Sequence, residues 1–137
     1  MIEIASKHAA GADYRLVPDA RKAIELFMAR LADVALPEIS RILLYGSRAR
    51  GDNQVDSDID IALVLAGSDP GDGTQFNLLM SLANISSRVM LEMDRPMNVA
   101  AIIVWENEFL EPDKQHNPHF YRNVLADGIE IQSSGVA

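Results

Sequence analysis

The sequence has 137 residues, 48% of them hydrophobic and 23% charged, which is typical of one globular domain. No stretch approaches the ~20 apolar residues that span a bilayer, and the start, MIEIASKHAA, is not a secretory signal, so we expect a cytoplasmic protein. The absence of cysteine excludes disulfides and thiolate metal sites, and the net charge of −8 argues against stable, nonspecific nucleic-acid binding.

The first half of the chain predicts a helix followed by a buried strand. Residues 1–18 give weak signals and are expected to form an arm. From Asp19, a suitable N-cap, apolar residues recur at three- and four-residue steps, and Pro37 is expected to end this helix. The apolar run 42–45 then predicts a short strand that stops at Gly46.

The middle of the chain predicts two more strands with a helix between them. Residues 58–65 alternate, so that two aspartates share one face of a strand and aliphatic side chains occupy the other. Residues 66–73 contain three glycines and a proline and are expected to form a loop. An apolar stripe over 78–92 predicts the second helix, and the apolar segment 97–104 predicts the third strand.

The C-terminal third predicts a loop, a helix and a final strand. Residues 105–118 are polar and are expected to be irregular. A helix over 120–126 is expected to stop at Gly128, with a strand over 129–132 and a flexible tail over 133–137. The element order predicts one α/β domain of the α+β type over the whole chain, with a mixed β-sheet and helices packed mainly on one face.

Two short segments carry the candidate chemistry. Gly46 and Ser47 directly follow a predicted strand, and ten residues separate Ser47 from Asp58. A glycine at such a turn lets the backbone approach a ligand closely, and a helix that begins near Ser47 would favour a phosphate. Arg48 and Arg50 are candidates to add positive charge to this phosphate site.

Asp58 and Asp60 form the second segment. Two residues apart on a strand, their carboxylates lie roughly 6–7 Å apart along one face, and two such charges repel unless a cation lies between them. Mg²⁺ commonly takes one or two carboxylates together with substrate phosphates. A solvated strand face without metal is the alternative; a calcium loop is excluded because Ile61 and Gly67 occupy its glycine and glutamate positions.

The segments GSRARG (46–51) and SDIDI (57–61) resemble the minimal nucleotidyltransferase domains of the DNA polymerase β superfamily. Segments 95–104 and 120–132 resemble these domains more weakly. The resemblance implies a mixed-sheet fold that transfers a nucleoside monophosphate, AMP from ATP as the first expectation, with Mg²⁺ as cofactor. It assigns the phosphates to the Gly–Ser pair and the metal to the two aspartates.

A third carboxylate usually lies on the next central strand of this family, and here the corresponding position holds Asn98. An amide oxygen can ligate a metal, but it cannot take a proton from the attacking hydroxyl, and losing a general base commonly costs ~10²–10⁴-fold in rate. Asp94, four residues earlier, is roughly 13 Å away on an extended strand. We therefore keep Asn98 as the third site residue and carry two hypotheses: an active enzyme or a catalytically weak binding module.

Partner expectations follow from the resemblance as well. Relatives that modify antibiotics carry an added helical domain for the acceptor, which we do not find here, so a protein or other macromolecule is the expected acceptor. Many stand-alone domains of this type are antitoxins paired with a HEPN-domain ribonuclease, and this pairing defines the alternative function of a nucleotide- and partner-binding antitoxin. Nucleic-acid polymerisation is disfavoured by the acidic composition. The nucleotide, the oligomeric state (a homo-oligomer included) and the choice between Mg²⁺ and Mn²⁺ stay undetermined by the sequence.

Overall fold

A computed structural model describes residues 2–4 and 17–133 of the chain. The predicted order of helices and strands is present, with a strand near the N-terminus and short helices in addition. Residues 1 and 5–16 of the predicted arm and residues 134–137 of the predicted tail lie outside the described residues, whereas Pro18 belongs to the first long helix and Ser133 to the last strand. The elements are β1 (Ile2–Ile4), α1 (Pro18–Leu31), β2 (Ile39–Tyr45), α2 (Ser47–Arg50), β3 (Ile59–Leu65), α3 (Thr74–Glu92), β4 (Val99–Trp105), α4 (Glu106–Leu110), a 3₁₀ turn (Pro112–Lys114), α5 (Pro118–Asp127) and β5 (Ile129–Ser133).

The five strands form one mixed sheet in the order β1-β5-β2-β3-β4. β3 and β4 are parallel, and the other neighbouring pairs are antiparallel. Tyr45 pairs with Asp60, and Ile59 pairs with Val99. The carboxyl end of β2 and the amino ends of β3 and β4 therefore meet at one end of the sheet.

Both faces of the sheet are covered, but unequally. The long helices α1 and α3 pack on one face, where the alternate β3 residues Ile59, Ile61, Leu63 and Leu65 are buried. On the other face, Val124 of α5 packs with Leu43, Ala62, Val64 and Val104 in a smaller cluster. The α+β class with helices mainly on one face is thus confirmed. The carboxylate-bearing face of β3 becomes apolar beyond Asp60, because Ala62 and Val64 are buried there.

Helix α1 differs from its predicted bounds at both ends. Pro18 is its first residue and Val17 its N-cap, so Asp19 lies in the first turn and is not the cap. The helix ends at Leu31 and does not continue to Pro37, because the next residues tighten into turns in which Val34 N–H donates to the Leu31 carbonyl at 3.1 Å. The apolar periodicity of the sequence extends beyond Leu31 because Val34, in the turn after the helix, still packs against the core.

Helix α3 is the longest element and is fixed to the sheet by a buried hydrogen bond. The hydroxyl of Ser86 donates to the carbonyl of Val99 at 2.6 Å. Its buried stripe of Leu78, Leu82, Ile85 and Val89 is the one that the sequence predicts. Within the described part of the chain, no helix is both long enough and apolar enough to cross a membrane.

The segment after β4 was expected to be irregular, and this expectation was wrong. It forms α4 and the 3₁₀ turn. The carboxylate of Glu108 accepts the Trp105 backbone N–H at 2.7 Å and the Tyr121 hydroxyl at 2.9 Å, so it caps the start of α4 and ties it to α5. Trp105 is a core residue with 3% of its surface exposed. Acidic side chains here act as caps, a role that hydrophobic periodicity does not reveal.

Candidate active site

Gly46 connects β2 to α2 in a conformation that favours glycine. Its φ is +75°, and a Cβ atom placed on it would lie 2.3 Å from Oδ2 of Asp60. The glycine therefore meets two requirements at once, a positive φ and direct contact with a carboxylate. This contact brings the Gly46–Ser47 turn of the sequence motif against one of the two motif aspartates.

Asp60 lies on β3 and is partly buried, whereas Asp58 is exposed and lies just before the strand. The sequence placed both on the strand, but β3 begins at Ile59. Burial raises the pKa of Asp60, the negative charge of Asp58 raises it further, and the positive charge of Arg50 lowers it. The two aspartates thus interact as like charges, which is the electrostatic condition that a bound cation relieves.

Tyr45 adds an aromatic side chain that sequence reasoning missed. Its partner in the β2–β3 pairing is Asp60. Its ring packs edge to face against the ring of Phe120 in α5, with the ring centroids 6.3 Å apart. Burial and the nearby Asp60 charge raise the pKa of Tyr45 to about 12, so its phenol stays protonated at neutral pH. The sequence position could have indicated that Tyr45 lies near the site, because it is the last strand residue before the Gly–Ser turn.

Asn98 lies directly before β4, at the same end of the sheet as the two aspartates. Its backbone carbonyl accepts the N–H of Ile59 at 2.9 Å, and the register that pairs Ile59 with Val99 brings its backbone next to that of Asp58. Asp58 and Asn98 both precede the first residue of their strands, so strand pairing does not set the direction of their side chains, and the site role of Asn98 stays a prediction.

The side-chain chemistry of Asp58, Asp60 and Asn98 suits a divalent cation that also binds phosphate. Among the residues that the structure describes, no three His, Asp or Glu side chains are grouped to hold a metal ion. Two carboxylates and an amide oxygen nevertheless suit Mg²⁺, which takes few protein ligands and completes its shell with phosphate oxygens and water.

Arg48 is buried, with 3% of its surface exposed, and its guanidinium points into the protein. Nε and Nη2 donate to the carbonyl of Ser57 at 3.1 and 2.9 Å, and Nη2 also donates to the carbonyl of Val55 at 3.3 Å. These contacts do not support the phosphate role that the sequence predicted for Arg48.

Arg50 is exposed and bonded to two carboxylates. Its Nη1 donates to Asp127 at 2.9 Å, and its Nε donates to Asp52 at 3.1 Å. These hydrogen bonds raise the pKa of Arg50 above its ordinary value. Asp127 comes from the end of α5, 77 residues along the chain, so no local spacing could have indicated it.

Comparisons with known proteins show which family the chain resembles. A family model described as "Polymerase beta, Nucleotidyltransferase" matches residues 31–134, which include every site residue above. A Methanocaldococcus jannaschii protein named "Putative protein adenylyltransferase" is 36% identical over 107 residues, 78% of this chain and 92% of that protein. A Sulfolobus solfataricus crystal structure described as a "putative nucleotidyltransferase" is 26% identical over 72% of this chain and 82% of that chain, with a TM-score of 0.43.

Proposed function

The chain belongs to the polymerase β nucleotidyltransferase family, and from this premise we propose that it transfers AMP from ATP to a hydroxyl group of a protein. The observation that carries the proposal is the contact between Gly46 and Asp60, which brings the Gly46–Ser47 turn, proposed to bind phosphate, against an aspartate proposed to bind the metal. The relative named a protein adenylyltransferase supports both AMP and a protein acceptor, since the match covers 92% of its length.

Each part of the triphosphate has a partner in this proposal. The backbone and hydroxyl at Gly46–Ser47 bind phosphate oxygens, and Asp58 and Asp60 hold Mg²⁺, with the Asn98 amide oxygen beside them. The bound ion supplies charge neutralisation of the phosphates and of the leaving pyrophosphate. Arg50 reaches a phosphate by exchanging one of its present carboxylate partners for the ligand.

The reaction is a displacement at the α-phosphorus. The acceptor oxygen forms a bond to this phosphorus, the bond to the bridging oxygen of the β-phosphate breaks, and pyrophosphate leaves. The acceptor proton passes to water, because Asn98 cannot take it. Proton transfer without a positioned base is slow, so turnover is expected to be lower than in relatives with a third carboxylate.

The amide at position 98 also supports a second candidate function. A member with Asn98 beside Asp58 can retain nucleotide binding without turnover and act as an antitoxin-like module that binds a HEPN-domain protein. The two functions differ in one measurable respect, since only the enzyme modifies its partner covalently.

The test incubates the protein with Mg²⁺ or Mn²⁺, each α-labelled nucleoside triphosphate and candidate acceptors, a HEPN-domain protein among them. We expect label from ATP on the acceptor, and its loss in Asp58→Ala and Asp60→Ala. Asp33→Ala is the matched control, because Asp33 is an exposed aspartate just after the end of α1. A stable complex without labelling would favour the binding module.

Restoring the carboxylate separates the two functions further. In Asn98→Asp, a general base returns beside Asp58, and transfer should rise by about 10²–10⁴-fold. The measurement is the initial rate of labelling at saturating ATP, with Asn98→Ala as the control that offers no base. An unchanged rate in Asn98→Asp would show that the enzymatic reading of this position is wrong.

A further inference from the structure

We infer that Arg48 is a positioning residue for Asp58 and does not bind the nucleotide; this inference depends on the proposed role of Asp58 in metal binding. Arg48 is the second residue of α2 and exposes only 3% of its surface. A buried guanidinium is costly unless its N–H groups are hydrogen-bonded. The hydrogen-bond partners of Arg48 therefore indicate which part of the structure its buried guanidinium stabilises.

Two partners of Arg48 are carbonyls of the segment that leads into the proposed metal site. Two nitrogens on one edge of the guanidinium converge on the Ser57 carbonyl at 3.1 and 2.9 Å, and Nη2 also reaches the Val55 carbonyl at 3.3 Å. The planar guanidinium fixes direction as well as distance, so Arg48 sets the orientation of the Ser57 peptide group, which is bonded to Asp58.

The same segment is closed on itself as a tight turn. The N–H of Ser57 donates to the Gln54 carbonyl at 3.2 Å, and the Ser57 hydroxyl accepts the Gln54 N–H at 2.8 Å. The turn is thus a small rigid unit, and Arg48 anchors it to α2. Without this anchor the turn would remain closed but could move relative to the sheet.

Asp58 lies between two fixed points of the backbone. On its carboxyl side, Ile59 is fully buried and its N–H donates to the Asn98 carbonyl at 2.9 Å. On its amino side, Ser57 is held by Arg48. Because β3 begins only at Ile59, the strand ladder does not hold Asp58, and Arg48 supplies the missing constraint.

Arg48 also couples the two halves of the site. It follows Ser47 in α2, the element on the phosphate side, while its guanidinium holds the turn on the metal side. A change in this residue should therefore alter the distance between the phosphate-binding turn and Asp58, without removing any group that touches the nucleotide.

The test measures Mn²⁺ binding to the nucleotide-free protein by the EPR signal of free Mn²⁺, so it needs no turnover. Groups that orient metal ligands typically contribute 10–100-fold to metal affinity, and Arg48→Met should weaken Mn²⁺ binding by about this factor. Arg48→Lys keeps the charge but loses the paired nitrogens and should recover only part of the affinity. Arg41→Met is the matched control, because Arg41 is half-exposed, pairs with Glu130 and lies toward the other end of β2.

The outcomes separate this inference from the proposed function. Unchanged Mn²⁺ affinity in Arg48→Met, together with a raised KM for ATP, would show that Arg48 contacts phosphate and would overturn the inference alone. Wild-type protein that binds no Mn²⁺ would overturn both. If Arg48→Met does not fold, as judged by thermal unfolding, Arg48→Lys decides: full wild-type Mn²⁺ affinity would show that charge alone suffices and would contradict positioning by geometry.

Discussion

At Gly46 the chain leaves β2 with φ +75° and passes close to the carboxylate of Asp60. The two demands on this residue are physically distinct, because one is backbone strain and the other is steric exclusion. Gly67 has a similar φ of +83°, but nothing lies within 4 Å of the position of its absent Cβ. Substitutions at Gly46 and Gly67 therefore allow the effect of backbone strain to be separated from that of steric exclusion.

Gly46→Ala should lose both stability and function, whereas Gly67→Ala should lose only stability. A side chain at a sparsely populated positive-φ conformation costs about 1–3 kcal/mol, a cost expected in both variants, and Gly46→Ala must in addition displace Asp60. The measurements are the free energy of unfolding in urea and nucleotidyl transfer with Mn²⁺ binding. Equal transfer by the two variants would contradict a site centred on the Gly46–Asp60 contact.

The raised pKa of Asp60 gives a pH dependence whose sign can be stated. Because its folded-state pKa lies above the unfolded value, Asp60 contributes most stability when protonated, and this contribution is lost as pH rises through the folded pKa. Asp60→Asn should therefore stabilise the metal-free protein at neutral pH, and the difference should shrink as pH falls toward the ordinary value of 3.8. Urea unfolding from pH 7 to pH 4 with a chelator present tests this, and a gap that widens on acidification would contradict it.

At the scale of elements, the site depends on how α2 and α5 are joined. Arg50 of α2 and Asp127 of α5 form an ion pair at 2.9 Å, and Asp52 completes a second bond to the same guanidinium. The pair connects α2, which follows Gly46, with α5, the helix that packs on the opposite face of the sheet from α1 and α3. A phosphate that recruits Arg50 competes with Asp127 for it.

Asp127→Asn should lower the KM for ATP by a few-fold, because it weakens this competition. The effect on stability should be small, as is usual for solvent-exposed ion pairs. Steady-state kinetics at varied ATP tests the first expectation. Asp113→Asn is the control, because it removes a carboxylate partner from a different arginine, Arg122. A raised KM in Asp127→Asn would indicate that the ion pair orients Arg50 toward the ligand.

Gly128 shows why the sequence predicts an element boundary better than its cause. A glycine was expected to end α5, and it does, but its φ of −60° and ψ of 129° are not the left-handed conformation that usually explains such a glycine. A Cβ there would lie 2.5 Å from the Val124 carbonyl. The glycine is required by a close contact, which the sequence does not contain.

For the whole molecule, stability should depend on the face of the sheet that α1 and α3 cover. Phe27 is fully buried in that cluster, whereas Phe76 of α3 is 67% exposed. Phe27→Ala should cost about 3–5 kcal/mol, the usual range for a buried phenylalanine, and Phe76→Ala about 0.5 kcal/mol or less. Urea unfolding measures both, and similar losses would show that Phe76 is buried in a contact formed in solution.

The sequence by itself determined the type of most elements and the chemistry of the site motif. Alternation over β3 and the stripe of α3 are periodic, and periodicity is local information. The pairing of Gly46–Ser47 with Asp58 and Asp60, and the amide at Asn98, followed from spacing and family resemblance. The prediction was weakest from α4 to the start of α5, where the side chains of Glu108 and Asn117 cap short helices that apolar periodicity does not reveal.

Only the tertiary structure decided which distant groups meet. It brought the Arg48 guanidinium into hydrogen bonding with the Ser57 carbonyl and Asp127 into hydrogen bonding with Arg50. It also paired Tyr45 with Asp60 across two strands. The contacts of Asp127 and Tyr45 depend on helix packing and on strand register, whereas Arg48 and Ser57 are only nine residues apart and meet because the loop before β3 folds back onto α2. The motif from which the sequence predicts a phosphate and metal site is local, whereas the orientation of its carboxylates depends on side chains that reach it only when the chain has folded.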